Sequence, residues 1–206
     1  MSKRLIVSIT KSNVLRIKEE LDFAQEGYDL LEQKREVLVM EVMGLIEEFR
    51  RCKREVEDSL ARAYEYLKVS QMILGEKGVL KAALSAVPCE DFKIIDRSIM
   101  GIVVPVIRFT IKKTSCNQYG FQDTSHCLDK TVKQFHSCLE KLAKLAQLEI
   151  TLWRLTNELR KTQRRANALN NIFIPEYRDT IKYIEDNLEE KEREEIFQLK
   201  RVKKRL

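Results

Sequence analysis

The chain closes on NALNNIFIPEYRDTIKYIEDNLEEKEREEIFQLKRVKKRL, Asn167 to Leu206, which holds one proline, no glycine and a high density of charge. Its apolar residues recur in steps of three and four: Phe173, Tyr177, Ile181, Ile184, Leu188, then Ile196 and Leu199. That spacing lines one face of a helix. A helix with one narrow apolar seam and a wetted remainder cannot bury the seam by itself, so it needs a partner helix.

The opening of the chain supplies one. From Thr10 to about Met72 there is no proline, and Val14, Ile17, Leu21, Ala24, Tyr28 and Leu31 are followed by Leu38, Val42, Leu45, Phe49, Cys52 and Val56. Only Arg35 interrupts the line. A sustained three-four alternation is the heptad signature, and a 3.5-residue repeat imposes a left-handed supercoil. Thr10 or Ser12 is placed to cap the helix start. Upstream of the closing stretch the same rhythm runs from Leu128 through Val132, Phe135, Leu139, Leu142, Leu145, Leu148, Leu152, Leu155, Leu159, Thr162, Ala166 and Leu169. Pro175 lies inside it and lacks an amide, which predicts a bend or a lost hydrogen bond near Asn171 within one continuous helix.

Between the two lies a different composition. Gly75, Gly78, Gly101 and Gly120 are four of the six glycines, and Pro88 and Pro105 are two of the three prolines. GEKGVLKAALSAVP predicts a short helix ending before Pro88. DFKIIDRSIMGIVVPVIRFTIKK is β-branched and predicts two strands about a turn at Met100 and Gly101. Pro105 then belongs on an edge strand, with its missing amide facing away from the ladder. Ser115 to Ser125 reads as a second loop.

Two seams of this length bury each other most economically as an antiparallel pair. The expected fold is mostly α: a long antiparallel two-helix coiled coil built by the N- and C-terminal segments, with a small insert containing a short helix and a β-hairpin. The divisions are residues 1–73, 74–123 and 124–206. Matching the chain ends puts Leu21 beside Leu188 and Leu45 near Leu159. Helices of about 60 to 80 residues would be roughly 90 to 120 Å long.

Composition agrees. Charged residues make up 34%, above the roughly 25% of ordinary globular domains, so long wetted helical faces are expected. The excess of +6 is thinly spread because both signs interleave, which argues for solvated faces before an anionic partner. The cysteines Cys52, Cys89, Cys116, Cys127 and Cys138 are odd in number and form no CxxC pair, arguing against a disulfide framework or zinc site and for a reducing, cytoplasmic setting. No export signal is legible at the start. The longest uncharged apolar run, Ser98 to Ile107, is about half of the roughly 20 residues a membrane span requires.

The chemistry of enzymes is missing from the pattern. Gly75 to Lys81 lacks the spacing of a phosphate loop. His126 with Cys127, and His136 with Cys138, match no zinc spacing and read as decoration of a helix start. The carboxylate pairs Glu189/Glu190 and Glu194/Glu195 stand beside Lys191 and Arg193, as helix-surface ion pairs do. Catalytic, cofactor and metal residues are therefore expected to be none. Trp153 reads as packed into the core or a groove beside Leu152 and Leu155. The terminal Lys200, Arg201, Lys203, Lys204 and Arg205 read equally as a solvated basic tail or a protein contact.

ITKSNVLRIKEELDFAQEGYDLLEQKREVLVMEV at the start, SIMGIVVPVI in the middle and RRANALNNIFIPEYRDTIKYIEDNLEEKEREEIFQLKRVK at the end together resemble the D subunit of the V-type and archaeal A-type ATPases, over nearly the whole chain. The resemblance implies a non-catalytic central rotor of a proton- or sodium-translocating complex, peripheral to the membrane. Its partners would be the catalytic and nucleotide-binding A and B head subunits, the small F subunit of the stalk and the component linking the stalk to the membrane ring, with no nucleic acid and no direct membrane insertion. The hairpin at Gly101 and Pro105 is similar to a short β element of that family, and the basic tail becomes a candidate head contact. A free-standing coiled-coil tether or adaptor is the alternative, and a nucleic-acid-binding helical protein a distant third.

Overall fold

The computed structural model describes residues 7–85, 90–111, 119 and 124–204. Pro88, Cys89, Cys116, Arg205 and most of the loop from Ser115 to Ser125 lie outside them. The order of elements is helix α1 (Lys11–Ser85), strand β1 (Glu90–Ile99), strand β2 (Ile102–Ile111), helix α2 (His126–Ala168), a π-helical turn (Leu169–Phe173) and helix α3 (Ile174–Lys203). This is the expected mostly helical fold, with long helices at both ends of the chain and an antiparallel hairpin between them.

Of the two candidate caps, Thr10 is the one in place. Its hydroxyl accepts the Asn13 amide at 3.3 Å, satisfying one orphan donor of the first turn. Asn13 in turn donates its side-chain amide to the carbonyl and the hydroxyl of Ser8, both at 2.8 Å. Gly75, at φ 73° and ψ 160°, leaves helical geometry inside α1. A positive φ costs glycine nothing because it has no Cβ. Helical backbone resumes after it and runs to Ser85, over the stretch that predicts a short helix.

The chain divides into two compact units, one of residues Met1–Val39 with Leu159–Leu206 and one of residues Met40–Glu158. In the first, Val14 and Ile17 of α1 form a core with Ile181 and Ile184 of α3, and Leu21, Tyr177 and Leu188 pack against it together with Val7 and Ile9. Ile17 and Ile184 are each 1% exposed, and a fully buried side chain of this size contributes on the order of 1.5–3 kcal/mol. Further along, Arg35 fills the interruption in the α1 seam. It is half-buried, ion-pairs with Glu32 and donates to the Gln163 side-chain carbonyl at 3.1 Å across the helices. Placing the guanidinium between a carboxylate and an amide oxygen satisfies its charge and its donors where an apolar residue is absent.

In the second unit α1 continues against α2. Val42, Cys52, Val56, Ser59, Ala63 and Ser70 are buried, as are Leu128, Thr131, Cys138, Leu148, Thr151 and Leu155. The α1 seam is the expected one. The α2 seam is displaced by one residue, passing through Thr131, Cys138 and Thr151 in place of the expected Val132, Leu139 and Leu152. Those three residues are half-buried flanks. Threonine is accepted at these positions because its hydroxyl donates to its own helix one turn back, Thr131 to the Cys127 carbonyl at 2.9 Å and Thr151 to that of Gln147 at 2.8 Å, so the polar group is satisfied where it is buried. Trp153 is not packed in the core or a groove as expected. It is 67% exposed, because two residues beyond Thr151 is about 200° around the helix.

Register also differs from the simple matching of ends. Leu21 and Leu188 do share one cluster. Glu48, however, pairs with Lys144 at 3.0 Å and the Cys52 thiol approaches the Lys141 carbonyl, so the stretch around Leu45 faces residues near Gln147, about three turns from Leu159.

Candidate interaction surfaces

Lys11 Nζ lies 2.6 Å from Glu192 Oε1, and Lys18 Nζ 2.7 Å from Glu185 Oε1. These contacts fix where the start of α1 stands against α3. Beyond Glu192 the helix runs on to Lys203 for about three more turns, past the first residue of α1. Ile196 and Leu199, expected in the seam, are therefore exposed. With Phe197 and Val202 they give the tip four exposed large apolar side chains, beside the exposed Lys200, Arg201, Lys203 and Lys204. Cations in a last helical turn are also favoured by the helix dipole. Just inside the tip, Val14, Leu15 and Leu188 floor an open groove of about 460 Å³ walled by Lys11, Glu185, Glu189 and Glu192.

The charges of Lys11 and Glu192 satisfy each other. The Glu192 hydrogen bond and charge hold the Lys11 ammonium above its ordinary value, and the same contact holds the Glu192 carboxyl below its own. In the second unit Glu48 raises Lys144 the same way, and burial pushes the Cys52 thiol up. A thiol so shifted stays protonated and is a poor nucleophile.

Pro175 is passed by a change of helical register. The π-helical turn Leu169–Phe173 precedes it, and the Ile174 amide donates to the Leu169 carbonyl, five residues back. Pro175 then occupies the first turn of α3, directly after the widened turn. Widening the turn by one residue removes the demand that Pro175 could not meet.

The hairpin pairs Glu90 with Ile111 at its open end and Ile99 with Ile102 at its turn. Met100 and Gly101 carry φ of 51° and 79°, the two positive values a type I′ turn demands, and its twist suits the strands. β2 is fastened to α2. Arg154 donates to the Val103 carbonyl at 2.6 Å, and the Ile107 amide donates to the Gln147 side chain at 2.9 Å. Backbone groups of alternate residues point to the same edge, so Pro105, midway between these two, aims its missing amide away from β1 and loses no ladder bond. Phe92 and Ile94 of β1 remain exposed.

His126 lies 4.0 Å from Asp129 and Cys138 is buried. Among the described residues no group of His, Cys, Asp and Glu is arranged to hold a metal ion, and no helix is long and apolar enough to cross a membrane. What the described residues offer is surface: an apolar and basic tip, a register change at Pro175 and a fastened hairpin. Ile196 and Leu199 of the tip are hidden from sequence reading because their spacing continues the seam. Only the Lys11–Glu192 pairing reveals that α1 begins short of the end of the α3 seam.

Residues 13–204 match the family of the ATP synthase D subunit. The V-type ATP synthase D subunit of Thermotoga neapolitana is 40% identical over 200 residues, spanning 97% of this chain and 98% of that one. The A-type ATP synthase D subunits of Thermococcus sibiricus and Pyrococcus furiosus are 38% and 36% identical over 205 residues, each alignment spanning 98% of this chain and 96% of theirs. With the match running from the first turn of α1 to the last of α3, the chain belongs to the ATP synthase D-subunit family.

Proposed function

We propose that this chain is the non-catalytic central rotor of a V/A-type rotary ATPase, carrying torque between the hexameric nucleotide-binding head and the membrane ring. The observation that carries the reading, beyond family membership, is the packing of the start of α1 against α3 in one unit, with α3 overrunning α1 as an apolar and basic tip. In this reading Ile196, Phe197, Leu199, Val202 and the cations from Lys200 onward, Arg205 included, seat in the head. The A and B head subunits are one set of partners, and the small F subunit of the stalk and the component joining the stalk to the ring are the others. The complex works at a membrane surface on the cytoplasmic side.

A rotor must resist shear of one helix past the other and must turn without sticking. The interlocked seam serves the first need. Exposed ion pairs serve the second, because their shallow energies let contacts with successive head positions exchange readily. Direction requires asymmetry, so that each head pocket is biased toward a different state in turn. The register change ahead of Pro175 and the step from the acidic Glu189–Glu195 stretch to the basic tip supply it.

The test is co-assembly. Head subunits mixed with the full chain and its small stalk companion should purify as one complex whose ATP hydrolysis drives ion movement. Charge reversal at Lys200, Arg201, Lys203 and Lys204 together should weaken that complex at least tenfold. Failure of the unaltered chain to join the head would refute the assignment.

A further inference from the structure

The heptad phase of the C-terminal segment slips once. Thr162 and Leu169 are seven residues apart, and Ile174, Ile181 and Leu188 keep that interval, yet the buried Ala166 and Ile174 are separated by eight. Phe173, which the spacing puts in the seam, is 45% exposed, and the buried Ile174 takes its place. One surplus residue would turn every later seam position about 100° around the helix. The π-helical turn Leu169–Phe173 takes it up and keeps both stretches of seam in the interface. None of its five residues is buried, and Asn170 and Asn171 are weak helix formers.

α1 has a soft point at the same level. A Cβ at Gly27 would lie 3.9 Å from Leu169 Cδ1, and of the α1 glycines this is the one with an atom of the facing helix within 4 Å. Glycine holds helical backbone less firmly than any residue but proline. The levels on either side are tied. Toward the tip stand the Lys18–Glu185 pair and the core of Val14, Ile17, Ile181 and Ile184; in the other direction stand the Arg35–Gln163 hydrogen bond and the buried Thr162 and Leu38. Lys18 and Arg35 are each about 12 to 14 Å along α1 from Gly27.

We infer that Gly27 and the π-helical turn are the two halves of one flexure, at which α1 before Gly27 and α3 after Phe173 tilt together on the rest of their unit, with the Leu169 side chain as the pivot. A helix pair bends as a pair only where both members yield at one level, because a soft point in one helix alone is splinted by its neighbour. Glycines and π-turns are the places where helices bend, and here one of each is in contact across the seam. The tied levels on either side move as blocks, and the few residues between them absorb the change of backbone angle, as hinges do on the microsecond to millisecond scale. The inference goes beyond the rotor reading and does not need it; joined to that reading, it gives the tip a place to yield without opening either stretch of seam.

The test is residue-resolved amide hydrogen exchange on the full chain. In the wild type, amides at 24–31 and at 169–174 should exchange about tenfold faster than those at 35–38, 162–166 and 181–184, since local opening concentrates where packing is thin. Gly27→Ala places its methyl in ordinary contact with Leu169 and should slow exchange at 24–31 about fivefold, the gain of alanine over glycine in a helix. It should also slow exchange at 169–174, on the other helix. Conversely, deleting Asn171 together with Pro175→Ala restores seven-residue spacing between Ala166 and Ile174 and should slow both sets, although the change lies in one helix. Slowing confined to the altered helix, or uniform exchange along both helices of the wild type, would overturn the flexure and leave the rotor reading intact. Should the deletion variant fail to fold, Gly27→Ala decides by itself.

Discussion

Ser70 and Thr131 meet hydroxyl to hydroxyl, 2.8 Å apart, in the seam between α1 and α2. Each oxygen also lies within reach of a carbonyl one turn back, Ser70 of Tyr66 at 3.0 Å and Thr131 of Cys127 at 2.9 Å. Both residues are almost wholly buried, so two hydroxyl protons serve three contacts. Small side chains here, with Ala63 two turns earlier and also buried, bring the helices close.

The first prediction concerns that layer. Ser70→Ala should cost only about 0.5–1.5 kcal/mol, since Thr131 keeps its own carbonyl. Ser70→Leu should cost about 1–3 kcal/mol through overpacking. Denaturant unfolding of the two variants measures both, and a Ser70→Leu chain as stable as the wild type would show that the helices are not held close here.

A second prediction follows from Lys11 and Glu192. A carboxyl held below its usual 4.5 contributes stability above that value and loses it as pH falls through its folded value; an ammonium held above 10.5 contributes below that value and loses it as pH rises through its own. The clasp is therefore present across neutral pH and opens in acid. At neutral pH Glu192→Gln should speed amide exchange in the last turns before residue 192, and the difference from wild type should vanish well below pH 4.5 and shrink in high salt. Identical exchange at neutral pH would contradict the clasp.

The hairpin turn gives a third. Met100 holds a positive φ of 51°, which an L side chain adopts at a cost of roughly 1–2 kcal/mol. Met100→Asn should relieve part of it, because asparagine followed by glycine is the preferred type I′ pair. Gly101→Val should impose a similar cost at φ 79°. Amide protection across β1 and β2 should rise in the first variant and fall in the second.

Pro175 supplies the fourth. Pro175→Ala restores the missing amide, so the turn at Leu169–Phe173 should relax toward ordinary α-helix. Because that turn already accommodates the ring, stability should rise by less than the roughly 3 kcal/mol of a proline in a helix interior. In the assembled complex the variant should hydrolyse ATP with poorer coupling to rotation. Unchanged coupling would remove the proline from the mechanism.

Most of the fold is legible in the sequence because its cause is periodic. Val14 to Val56 recur at the heptad spacing and are the buried or half-buried face of α1; Met100 and Gly101 between β-branched runs mark the hairpin. Thr131, Thr151 and Thr180 escape because threonine reads as polar until its hydroxyl is seen bonded to its own helix, as Thr180 is to Glu176 at 2.6 Å. The surfaces are harder still. Whether Leu199 is seam or contact, and where Trp153 points, depends on register between helices, and register is a property of the pair that no single segment carries.

The rotor assignment is tested most directly by watching it turn. With the head subunits fixed to a surface and a probe attached to the hairpin of this chain in the assembled complex, addition of ATP should produce unidirectional stepwise rotation with threefold pauses. A probe that stays still while the head hydrolyses ATP would contradict the account.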